Sequence, residues 1–374
     1  MAPAEASAGS PLRADLVLSG SGVRFIGLVG AVVALMEAGY SVERVAGVSG
    51  GSVVGTVLAA ASVGDQLTPA EIKELALSVP LRRWRDAGPL PLVGQAWGLL
   101  RDSALYRGDV AHDWIRGELA NLGVRTWGDL RYDGDALLPE RRYRAVVNVA
   151  DVTTGQLVRL PWDYRRVYGL DPDEQSVADA VRASMAVPFF FRPVTLRSVD
   201  GRMSTLVDGG VLSNFPVYSF DRRDGRAPLW PTFGITVMPE LSAGPGGIEE
   251  LVPVLKPLRL FDHASLLENL ITTILVGHDH AYLTQPWVNV RAIRVNPTDI
   301  GVLDFGVSRA RLEQLCDNGY AAMQEFLTTW DWPAYLRMFD RSHYVHPEVQ
   351  PEVHPEVHPE TGIPSHPPTT PDGP

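Results

Sequence analysis

The stretch Val45-Ala46-Gly47-Val48-Ser49-Gly50-Gly51-Ser52-Val53-Val54 changes character at its first serine. Val45 to Val48 reads as a short buried strand, and Ser52 to Ala61 reads as an apolar helix. A strand, a turn of small residues and a helix, with serine at the apex, form the setting of a G-x-S-x-G nucleophile elbow. Glycines suit it because the turn is sharp and side chains would block the approach of strand, helix and substrate. The helix start aims free N–H groups and partial positive charge at the serine. A hydroxyl placed there can attack a carbonyl, and the oxyanion that forms has donors close by.

A second glycine-rich turn lies upstream. Asp15-Leu16-Val17-Leu18-Ser19 reads as an apolar strand, Gly20-Ser21-Gly22-Val23-Arg24 as a turn, and Phe25 to Ala38 as a helix ending at Gly39. Such turns gather backbone N–H groups and suit anions. One reading is a dinucleotide fingerprint. Against it, Phe25 stands where the third glycine belongs, and the next strand ends at Ser49 rather than at an acidic residue. The other reading is an oxyanion hole built from the N–H groups of Gly20, Ser21, Gly22 and Val23, joined by that of Gly50. Adjacent parallel strands would bring both turns to one edge of a sheet, where α/β proteins keep their sites.

Downstream, Leu206-Val207-Asp208-Gly209-Gly210 puts a carboxylate at the end of an apolar strand. It reads as an Asp-Gly hairpin turn or as the base for Ser49. The run Ala183-Ser184-Met185-Ala186-Val187-Pro188-Phe189-Phe190-Phe191-Arg192-Pro193 passes from a helix into an apolar bend, and by itself reads as core and turn.

Together these segments resemble the patatin-like phospholipases, which are serine lipid acyl hydrolases. The family's G-G-G-x-[RK]-G is similar to Gly20 through Phe25, its G-x-S-x-G to Gly47 through Gly51, its A-S-x-A-x-P-x-x-F-x-P to Ala183 through Pro193, and its D-G-[GA] to Asp208 through Gly210. The resemblance runs from about residue 14 to about 330. It implies a three-layer α/β/α fold around a central, mostly parallel sheet. It also implies a Ser49–Asp208 dyad rather than a triad, with Asp208 taking the serine's proton and an acyl-enzyme forming on Ser49. A carboxylate is a weak base for an alcohol, so it must be partly desolvated to serve. The implied substrate is a phospholipid, lysophospholipid or related lipid, with no cofactor and no metal.

Two residues depart from the family pattern. Ser21 replaces a glycine, and serine tolerates a left-handed backbone poorly. Phe25 replaces the glycine after the arginine, where it could line an acyl-binding wall or narrow the site. Arg24 reads as a surface arginine, as an anchor for the turn or as a partner for phosphate. These departures keep alive an alternative of another class, a catalytically poor lipid-binding or scaffold protein on the same fold.

The histidines fit a dyad by their placement. His343, His346, His354, His358 and His366 fall in the tail, and His112 lies in an amphipathic stretch. His263, His278 and His280 fall on one helical segment, where a third catalytic partner remains open. His278 and His280 are two apart and do not share a helix face, which disfavours a metal pair.

With 374 residues and a net charge of −11, the chain can bury a large core and is a poor partner for nucleic acid. Cys316 stands alone, so no internal disulfide forms, and no secretory leader or membrane span is legible. A cytoplasmic protein that meets lipid from the aqueous side, at most peripherally at a membrane, is expected. Residues 1–13 are expected to be disordered, 14–335 to form one domain, and 341–374, with its Pro-Glu-Val-His units, to be a solvated tail. Within 66–130, basic residues beside Trp84 and Trp97 could form a helical cap, a membrane contact or plain core.

Overall fold

The computed structural model describes residues 12–63, 67–86, 104–132, 137–138, 141–222, 226–237, 273 and 285–338. Ten strands are described: β1 (Leu12–Leu18), β2 (Tyr40–Val48), β3 (Ala104–Tyr106), β4 (Ala145–Asp151), β5 (Gln156–Leu160), β6 (Phe189–Phe191), β7 (Val194–Arg197), β8 (Met203–Asp208), β9 (Thr232–Thr236) and β10 (Ala292–Arg294). The described helices are α1 (Phe25–Glu37), α2 (Gly50–Ala61), α3 (Pro69–Leu77), α4 (Asp109–Asn121), α5 (Val177–Ser184), α6 (Pro286–Asn289), α7 (Arg309–Thr329) and α8 (Trp332–Met338). β1 starts at Leu12, so Leu12 and Arg13, at the end of the span expected to be disordered, belong to a strand. Residues 87–103 of the expected cap, the helical segment with His263, His278 and His280, and the tail lie outside the described residues.

The main sheet runs in the order β10-β9-β1-β2-β4-β8-β7, with β5 also paired to β4. Its centre is parallel, and β5, β7 and β8 join antiparallel at one end. Helices flank this mostly parallel sheet, which is the expected fold class. The central strands are buried without alternation: Ala14 to Leu18, with Asp15 the one charged residue, and Val45 to Val48 are buried throughout, as strands covered on both faces must be. A short parallel pair, β3 and β6, stands apart.

The register around β4 positions the site. β2 pairs with Ala145 to Asn148, β8 with Val149 to Asp151, and β5 with Val147 to Asp151. A strand has only two edges. The span of β5 overlaps both others, so β5 takes one edge and β2 and β8 share the opposite one. Val48 lies against Asn148 and Asp208 against Val149. The carboxyl ends of β2 and β8 therefore meet head to head.

Helix α1 is buried along most of its length and packs on α7 at glycine contacts. A Cβ on Gly30 would stand 1.8 Å from the Cys316 carbonyl oxygen, and one on Gly319 would stand 2.0 Å from that of Gly27. Helix α3 begins with a capping box: Thr68 Oγ1 accepts from Glu71 N at 3.3 Å, and Glu71 Oε2 accepts from Thr68 N at 2.8 Å.

Candidate active site

Ser49 stands between β2 and α2 in a backbone conformation that side-chain-bearing residues rarely adopt, φ 50° and ψ −124°. Such a conformation costs about 1–3 kcal/mol and persists only when its surroundings hold it. Here the Ser49 N–H donates to Ser184 Oγ at 2.8 Å, and Ser184 Oγ donates to the Asn148 carbonyl at 2.7 Å. The Ser49 carbonyl accepts from Ser52 N at 2.9 Å and from Ser52 Oγ at 2.6 Å. Gly51 lets the helix start sit on β1, since a Cβ there would be 2.4 Å from the Leu18 carbonyl oxygen. The strained turn points the serine away from its own helix and toward the end of β8.

Asp208 closes that gap. It is fully buried, and its Oδ1 accepts from Gly210 N at 2.8 Å. Its Oδ2 meets no donor at full hydrogen-bond geometry among the described residues. Burial pushes its pKa up to about 7, while the nearby Ser49 hydroxyl and the Gly210 N–H hold the carboxylate form against that trend. The following residues form a short 3-10 turn, Gly209–Val211, so the Asp-Gly pair is not a hairpin turn.

The upstream turn packs beside Ser49. A Cβ on Gly20 would lie 3.4 Å from Ser49 Cβ. Asn214 holds Gly20 from both sides: Gly20 N donates to the Asn214 carbonyl at 3.0 Å, and Asn214 Nδ2 donates to the Gly20 carbonyl at 2.9 Å. Val23 N donates to the Val302 carbonyl at 3.0 Å. The Gly20 and Val23 amides are thus spent within the protein. The amides of Ser21 and Gly22 meet no acceptor among the described residues, and Gly50, as first residue of α2, has no intrahelical acceptor. Ser21 has φ −143°, and the positive φ of this turn, 54°, falls on Gly22. Serine therefore replaces glycine at Ser21 without backbone strain.

Arg24 is buried, not on the surface. Its Nε donates to the Ile300 carbonyl at 2.6 Å, and it makes no ion pair among the described residues. Desolvation lowers its pKa to about 10, which still leaves it charged near neutrality. Phe25 is buried too, at the first turn of α1.

Two cavities open onto Ser49. One is apolar, lined by Phe25, Trp84, Met185, Phe191, Leu303 and Phe305 among others. The other is lined in part by Ser21, Arg24 and Asn214. Each has a volume of ≈ 20 Å³, room for about one water. A larger cavity of ≈ 380 Å³ lies at the start of β9, beside Thr232 and the mid-strand residues Asp15 and Arg44, away from the carboxyl end of β2 that carries Ser49.

His112 is the one histidine among the described residues, and its Nε2 lies 2.7 Å from Asp179 Oδ1, on α5. It lines neither cavity at Ser49. No group of metal-ligating side chains occurs among the described residues. No described helix is long and apolar enough to cross a membrane. Ser184 carries more than the core role its sequence context suggests. The available signal was a serine at the helix end, leading into the apolar bend Met-Ala-Val-Pro.

A family model for patatin-like phospholipase matches residues 16–221, more than half of the chain, including Gly20–Phe25, Ser49, Ser184, Asp208 and Asn214. The chain belongs to the patatin-like phospholipase family, a family of lipid ester hydrolases that act on lipid substrates. Among curated proteins it is similar to YqhO of Bacillus subtilis (strain 168), an uncharacterized protein, with 32% identity over 320 residues, covering 84% of this chain and 98% of YqhO. Among solved structures it is similar to VipD from Legionella pneumophila, with 18% identity, a TM-score of 0.45, and coverage of 86% of this chain and 68% of VipD. ExoU from Pseudomonas aeruginosa, solved in complex with SpcU, shows 17% identity and a TM-score of 0.40, covering 86% of this chain and 54% of ExoU.

Proposed function

We propose that this protein is a phospholipase A-like acyl hydrolase that cleaves carboxylic esters of phospholipids or related lipids through Ser49 and Asp208. The observation that carries the reading is the buried Asp208 carboxylate. It is raised to about 7, has one oxygen free of full hydrogen bonds, and lies beside the hydroxyl of a strained serine. A base poised near operating pH is what proton removal from a weak acid requires.

Ser49 Oγ attacks the ester carbonyl carbon as its proton passes to Asp208 Oδ2. The carbonyl oxygen becomes an oxyanion, held by the N–H groups of Ser21, Gly22 and Gly50. Gly20 and Val23 shape this hole through their backbone ties rather than by donating to it. The tetrahedral intermediate collapses, the bond to the leaving alcohol breaks, and the alcohol leaves with the proton from Asp208. Water then gives a proton to Asp208 and attacks the Ser49 ester; the fatty acid departs and Ser49 recovers its proton. The leaving alcohol faces the cavity that holds Arg24, whose charge suits a phosphate.

A fluorophosphonate probe should label the wild-type protein and leave Ser49→Ala unlabelled. Against a panel of phospholipids, lysophospholipids and nitrophenyl esters, Ser49→Ala and Asp208→Asn should each lose on the order of 10⁴-fold in kcat. An unlabelled wild type that still binds lipid vesicles would mark a binding protein on a hydrolase fold. A comparable collapse on replacing His263, His278 or His280 would make the dyad a triad.

A further inference from the structure

We propose that Phe25 is the specificity residue that ends the acyl channel, restricting this hydrolase to short acyl chains; the inference rests on the reading of Ser49 as the nucleophile. Phe25 lines the apolar cavity at Ser49 and also a second cavity of ≈ 30 Å³ behind it. The second cavity is lined only by apolar side chains, among them Val29, Val57, Leu58, Ile72 and Trp114. Trp84 borders the first cavity and Trp114 the second, with their rings 5.9 Å apart. The ring of Phe25 and this tryptophan pair therefore form a partition between two apolar spaces, one of which touches the nucleophile.

The partition stands very close to the reacting atoms. A Cβ on Gly50, the residue after the nucleophile, would come within 3.1 Å of Phe25 Cβ. Three aromatic rings of the remaining wall pack on one another: Phe191 and Phe305 lie 5.9 Å apart, and Trp84 and Phe305 6.5 Å apart. An acyl chain that enters from Ser49 meets the Phe25 ring after a few carbons. Beyond it, the hydrophobic space between α1, α2 and α3 is already present, and apolar burial there would reward each added methylene. A small residue at Phe25 would join the two spaces into one channel.

The test compares kcat/KM on nitrophenyl esters of 4 and 12 carbons for wild type, Phe25→Ala and Phe25→Leu, with fluorophosphonate labelling of Ser49 as the check on site integrity. Phe25→Ala should raise the ratio of 12-carbon to 4-carbon activity at least about tenfold, with Phe25→Leu between. Adding Val57→Phe, which refills the rear cavity alone, should take that gain away and leave 4-carbon activity in place. If Phe25→Ala is unstable, Phe25→Leu with and without Val57→Phe carries the same comparison. A ratio unchanged in the labelled, active variants overturns the assignment of Phe25. A wild type that neither labels nor hydrolyses any ester overturns the nucleophile reading, and the Phe25 assignment with it.

Discussion

In the mechanism proposed above, burial of a single carboxylate sets the chemistry. Asp208 is held at a pKa of about 7 because folding removes its water, and only the Ser49 hydroxyl and the Gly210 amide offset that loss. As the proposed base, Asp208 works only when ionised. Values of kcat/KM should therefore rise with pH through about 7 and level off above it, as a pH–rate profile on a short ester would read. A profile flat from pH 5 to 9 would contradict a role for Asp208 as base. Ser184 illustrates how far single residues could be read from sequence. Its hydroxyl bridges the Ser49 amide to β4, yet nothing in an Ala-Ser-Met-Ala run says which of two strands it will reach. Ser49 and Asp208 were legible because their neighbours are small and their positions follow apolar strands. The division of the Gly20–Val23 amides between spent and available was not, since Asn214 and Val302, which claim Gly20 and Val23, lie far along the chain.

Among the elements, helix α1 and its seat on α7 hold the upstream turn in place. Gly319→Ala would drive a methyl toward the Gly27 carbonyl, 2.0 Å away on a backbone that cannot swing aside. A loss of about 2–3 kcal/mol in urea unfolding is expected. Turnover should fall too, because α1 carries Arg24 and Phe25 at its start. Gly117→Ala supplies the opposite sign. That glycine lies within α4, and a Cβ there meets nothing within 4 Å, so a gain of up to about 1 kcal/mol is expected. The apolar elements flanking the glycine turns were readable in advance: α1, α2, β1, and the ends of β2 and β8. The strands β5 and β7 were not. Their residues are partly exposed, they carry no continuous apolar run, and they exist because β4 and β8 offer edges to pair with.

For the whole molecule, the buried Asp208 carboxylate is a liability to stability. An ordinary aspartate titrates near 3.8, and Asp208 in the fold titrates near 7. Below about pH 4 the folded and unfolded forms are protonated alike at this position, and its charge has no effect. Between those values the folded form binds the extra proton, so stability falls as pH rises, and above 7 the buried charge costs on the order of 4 kcal/mol. Asp208→Asn, which can still accept from Gly210, should therefore raise the thermal midpoint at pH 8.5 and leave it nearly unchanged at pH 4. An equal shift at both values would mean that packing, rather than charge, governs the substitution.

The head-to-head meeting of β2 and β8 on one edge of β4 has a consequence for how such a chain can change. The gap between hydroxyl and carboxylate is gauged by a ladder of backbone bonds along one strand, Val48 to Asn148 and then Val149 to Asp208. Loops between those two points can grow, shrink or be traded without resetting the gauge. A single residue inserted within β8 would instead turn the carboxylate to the far face of the sheet, away from Ser49.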